Sequence, residues 1–78
     1  MDFIGATDAL MAAGVALPEI AGALGVQYST VRAWRLPTSS PSYRRPPSGW
    51  AAKLAPLAAG RGGELQDLAA QLEREAAG

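Results

Sequence analysis

The residues of this chain that can do chemistry are few, and the most suggestive are basic. Arg32 and Arg35 stand three positions apart behind Gln27, Tyr28, Ser29 and Thr30, while Tyr43, Arg44 and Arg45 lie within a proline-rich stretch. Guanidinium groups pair bidentately with carboxylates and phosphates, and an arginine on a helix can also meet guanine O6 and N7. There is no cysteine and no histidine, which removes disulfide staples and the usual zinc and haem ligands. The seven carboxylates gather towards the two ends without a paired spacing, and Thr38, Ser39, Ser40 and Ser42 have no candidate base beside them. Gly60-Arg61-Gly62-Gly63 is not followed by the lysine and hydroxyl of a phosphate-binding loop. These residues point away from an enzyme and call for no cofactor or metal.

Seven bases balance seven acids, but they are not mixed. Residues 1–19 carry Asp2, Asp8 and Glu19 and no base. Residues 20–63 carry Arg32, Arg35, Arg44, Arg45, Lys53 and Arg61 and no acid, and residues 64–78 return to Glu64, Asp67, Glu73 and Glu75 against Arg74 alone. A basic centre between acidic flanks suits a polyanionic partner or, more plainly, a solvated basic face.

The elements that must position these groups read as helices. Residues 2–13 predict a first helix, with Phe3, Ile4, Leu10 and Met11 on its apolar face, Asp2 as cap and Gly14 as the left-handed stop. Pro18 and Glu19 suit the first turn of a second helix with Ile20, Ala21 and Leu24 inward, ended by Gly25. After the turn Gly25-Val26-Gln27, a third helix is expected from about Tyr28 to Leu36, with Val31 and Trp34 inward. Residues 37–47, holding four of the six prolines, read as an extended connector. A fourth helix is expected from a Ser48 cap, carrying Trp50, Leu54, Leu57 and Ala58 and kinked or broken near Lys53 to Ala55 by Pro56. A fifth is expected from Glu64 to Ala77 with a stripe of Leu65, Leu68, Ala69, Leu72 and Ala76. No strand pattern and no repeat is visible. The fold class is therefore all-α: a compact bundle of about five helices.

Within it, the segment Leu17–Leu36, LPEIAGALGVQYSTVRAWRL, resembles the helix-turn-helix of Cro-type phage repressors and related small bacterial regulators. The resemblance covers a quarter of the chain. Ala21 sits where the two helices would cross closely, Gly25 supplies the positive φ of the turn, and Ile20, Leu24, Val26, Val31 and Trp34 fill the wedge. It implies that the third helix lies in the major groove of duplex DNA, N-terminal end towards the bases. Gln27, Tyr28 and Ser29 then match the positions at that end. Arg32 is placed to contact guanine and Ala33 a thymine methyl, while Thr30 and Arg35 meet the backbone. Such proteins often carry glutamine at the start of the first motif helix, where this chain has Leu17 and Pro18, so that grip on the backbone is missing. Tyr43, Arg44 and Arg45, with Lys53, are candidate further contacts to phosphate or minor groove; the alternative is a solvent loop whose arginines pair with acids of the terminal helices. Trp34 and Trp50 read as core rather than base-stacking residues.

At 78 residues a single domain buries only ~60% of its unfolded surface, which makes oligomerisation a natural staple. The leucines Leu65, Leu68 and Leu72 form either a dimer seam or intramolecular core. The seam is the expected use, because symmetric dimers of such domains read half-sites about one turn apart. No run reaches the ~18 apolar residues of a membrane span, and no basic region precedes an apolar run at the N-terminus, so a cytoplasmic protein is expected, on the nucleoid when bound. The expected function is a dimeric bacterial or prophage transcription regulator. Two other uses of the same motif are a module docking on RNA polymerase or a larger regulator, and the DNA-binding piece of a recombination or packaging machine.

Overall fold

Asp2 starts the first helix as the sequence predicts: its backbone is extended (φ −89°, ψ 171°) and its carboxylate accepts the Gly5 N–H at 2.7 Å. In the computed structural model, which describes residues 2–60 and 65–77, five helices follow in order: α1 Phe3–Ala12, α2 Leu17–Leu24, α3 Tyr28–Trp34, α4 Trp50–Ala59 and α5 Gln66–Ala77. No strand occurs among the described residues. The radius of gyration, 11.8 Å, is close to the ~11.5 Å of a folded chain of this length.

Two glycines stop the first two helices by the same device. Gly14 (φ 97°) and Gly25 (φ 73°) occupy the left-handed region, which a side chain disfavours. After Gly14, the Val15 N–H bonds to Leu10 O at 3.0 Å and the Gly14 N–H to Met11 O at 3.0 Å; after Gly25, Val26 bonds to Ala21 O at 3.0 Å and Gly25 to Gly22 O at 3.2 Å. Carbonyls that the helix end leaves orphaned are thus satisfied, and Val15 is turned into the core.

The buried face of α1 is Phe3, Ala6, Thr7 and Leu10, which differs from the predicted one. Ile4 is half-buried and Met11 exposed. Leu10 lies seven positions beyond Phe3, and it is the positions between them on the same side that turn inward. Thr7 tolerates burial because its hydroxyl donates to Phe3 O at 2.9 Å.

Two expectations about α4 are corrected. Helix α4 begins at Trp50 after Gly49, with no side-chain cap, so Ser48 does not serve as one. It continues through Pro56 to Ala59 without a break; Ala52, whose carbonyl the proline leaves without its usual partner, and Pro56 itself are both exposed to solvent. Helix α5 begins at Gln66, and Glu64 lies outside the described residues. Helices α4 and α5 share the most extensive contact in the molecule, and α4 also packs on α2 and α1. Phe3 lies edge-on to both tryptophans, 5.7 Å from Trp34 and 5.3 Å from Trp50 by ring centroids. That aromatic cluster joins the ends of α1, α3 and α4.

Candidate nucleic-acid interface

The unit that presents the candidate reading residues is α2, the turn Gly25–Gln27, and α3. Its inner side is apolar: Ile20, Ala21, Leu24, Val31 and Trp34 are buried and Val26 is packed against them. Ala21 is small where α2 meets its neighbours, and Gly25 turns the chain with no room lost. With Val31 and Trp34 held inward, the period of α3 forces its other positions out. Gln27, Tyr28, Ser29 and Arg32 are exposed, Tyr28 at 45% although it is large and aromatic. The Arg32 guanidinium lies 5.9 Å from the Tyr28 ring centroid, one helical turn away, a spacing at the outer reach of a cation–π contact. Thr30 and Ala33 are half-buried at the sides of this face.

Arg35 is not where the sequence expectation puts it. Its guanidinium forms an ion pair with Asp8, reaches the Thr7 hydroxyl at 3.4 Å and approaches Met11 Sδ at 3.2 Å. Lying on the α1 side of α3, it ties the two helices together and turns away from the outer face. Sequence reasoning missed Thr7 and Asp8. The signal was there in principle, because Thr7 is one helical turn from Phe3 and Leu10 and so belongs to the buried face.

The segment after α3 is not simply extended. Turns close by Ser40 N–H to Pro37 O at 2.9 Å and Tyr43 N–H to Ser40 O at 3.1 Å, and the chain then returns to α3, where the Arg44 N–H donates to Ala33 O at 3.3 Å. Ser42 faces Ser29, Arg32, Ala33 and Leu36 across a shallow groove of about 240 Å³. The segment thus covers part of the C-terminal half of the outer face, which accounts for the half-burial of Ala33.

The three residues Tyr43, Arg44 and Arg45 are not one patch. Arg44 is exposed beside α3, with Nη1 donating to Tyr43 O at 2.9 Å. Tyr43 and Arg45 instead line a different cleft, with Asp2, Trp34, Trp50 and Glu75. Lys53 is exposed on α4. Leu65, Leu68 and Leu72, expected at a dimer seam, are 5%, 7% and 0% exposed within the single chain. They belong to the chain's own hydrophobic core, where α5 packs on α4 and α1, and a stripe buried there is not available to a second chain.

The ends of the unit offer less. Ala16 precedes α2 without a side-chain hydrogen bond, and Leu17 is half-buried. Among the described residues no group of acids, cysteines or histidines could hold a metal ion, and no helix is long and apolar enough to cross a membrane. Comparison of the chain with protein-family models, with curated proteins and with solved structures gives no match.

Proposed function

We propose that this chain is a small transcription regulator that binds duplex DNA sequence-specifically, with α3 as the reading helix. The carrying observation is the division of α3 into a buried side, Val31 and Trp34, and an outer side on which Tyr28, Ser29 and Arg32 are exposed together with Gln27 at the helix start. A helical hairpin built only to pack also has a polar outer face, but it does not call for a large aromatic side chain left 45% exposed beside an exposed arginine, as Tyr28 and Arg32 are.

In this reading the N-terminal half of α3 enters the major groove, since the segment bonded to Ala33 O occupies the other half. Gln27, Tyr28 and Ser29 meet base edges, and Arg32 takes guanine O6 and N7. Arg44, beside α3, meets a phosphate of the flanking strand and replaces the grip that Leu17 and Pro18 do not provide. Arg35 is a brace for α3, and Arg45 takes no part in DNA contact. A pair of copies reading two half-sites uses a surface outside the leucine stripe, which is spent in the core.

Selection of bound duplexes from a random pool, followed by a polarisation titration of the winner against salt, tests the reading. A recurring short sequence is expected, with an affinity that falls linearly in log–log form as salt rises. Failure to bind any duplex at low salt, or equal retention of all sequences, overturns it.

A further inference from the structure

The cleft that holds Arg45 has no part in the proposed DNA contact, and its composition is unusual for a surface hollow. It measures about 410 Å³, within the range of small-molecule sites. Its aromatic lining comes from Phe3, Trp34, Tyr43 and Trp50, of which Tyr43 and Trp50 are only half-buried and so present ring surface to an occupant. Arg45 contributes a guanidinium with no hydrogen bond or ion pair among the described residues. Two carboxylates line it as well: Glu75, which already has a partner, and Asp2, one of whose oxygens accepts the Gly5 N–H. Aromatic surface, an unmatched cation and a carboxylate thus converge on one hollow.

We propose that this cleft binds a small aromatic zwitterion, a ring carrying both a carboxylate and an ammonium group as in an aromatic amino acid. The ring lies against Trp50 and Tyr43, where a π-face or edge is favourable. Its carboxylate pairs bidentately with Arg45, and its ammonium faces the second oxygen of Asp2. A ligand with one charge alone leaves either the guanidinium or the carboxylate unmatched, so the cleft selects for both charges. Seated there, the ligand holds residues 43–45 against the core. Because Arg44 of that same segment is bonded to Ala33 O, occupancy also fixes the segment against α3. This last, regulatory consequence rests on the DNA reading above; the site itself does not.

The test follows the two tryptophan indole N–H signals by nuclear magnetic resonance in the full chain without DNA. The probes are L-phenylalanine, 2-phenylethylamine, which lacks the carboxylate, and 3-phenylpropionate, which lacks the ammonium. Saturable shifts are expected with L-phenylalanine, with binding weaker by about tenfold for each one-charge analogue. Arg45→Gln is expected to abolish the preference for L-phenylalanine over 2-phenylethylamine, and a thermal melt of that variant matching the parent rules out loss of fold. Equal binding of all three probes, an unchanged preference in Arg45→Gln, or no saturable shift with L-phenylalanine overturns the site. If the site binds and DNA affinity is the same with and without L-phenylalanine, the regulatory consequence is overturned while the DNA reading is not.

Discussion

At the scale of single residues, the two arginines of α3 have opposite fates, and each carries a prediction. Arg32 is exposed, with the Tyr28 ring 5.9 Å from its guanidinium, so Arg32→Ala should leave stability almost unchanged. It should cost ~1–3 kcal/mol in binding to the selected duplex and relax discrimination at one position; chemical denaturation and competition titrations separate the two effects. Arg35 is bound to Asp8, Thr7 and Met11. The Asp8 side chain is 57% exposed, so the ion pair itself is worth no more than ~1 kcal/mol. Asp8→Asn should therefore lower stability by that amount or less, and the loss should shrink as salt rises. Arg44→Ala should weaken all duplexes similarly and reduce the salt slope by about one unit, whereas Arg45→Ala should leave that slope unchanged. Identical salt slopes for the two variants would sink the separation of Arg44 from Arg45. The types of these residues were legible in the sequence, but the direction of each guanidinium was not. Arg32 and Arg35 are three positions apart, and only the presence of α1 on one side of α3 distinguishes them.

At the scale of elements, local chemistry decided most boundaries. The stops at Gly14 and Gly25 were readable because a positive φ has one inexpensive residue. Gly25→Ala places a methyl group in open space, so its cost is purely conformational, about 1–2 kcal/mol. Gly25→Asn should cost less, and a pair of denaturation curves checks both. What local chemistry misread was the C-terminal half. Ser48 has the right side chain for a cap and is passed over because the helix begins after Gly49. Pro56 was expected to kink or break α4, yet the helix runs on through it, with Ala52 and Pro56 both on the exposed side. Residues 37–47 were read as extended because prolines exclude helix; the turns at Ser40 and Tyr43 come from hydrogen bonds that proline spacing does not specify.

At the scale of the whole molecule, the leucine stripe expected at a seam between chains is buried within one chain. Leu72 is fully buried, so Leu72→Ala should destabilise the chain by about 2–5 kcal/mol. The unfolding midpoint of the parent should not depend on protein concentration through this surface; a midpoint that rises with concentration in the parent and not in a Leu72 variant would restore the seam. The sequence by itself determined that the chain is all-helical, where the first two helices stop, and which side of α3 must face inward, because these follow from backbone preferences and apolar period within about ten residues. Only the tertiary structure decided that Arg35 braces α1, that Arg44 and Arg45 line different surfaces, and that Leu65, Leu68 and Leu72 are buried in the chain's own core. Each of these depends on which element lies opposite, and a period along the chain specifies a face without specifying what will cover it.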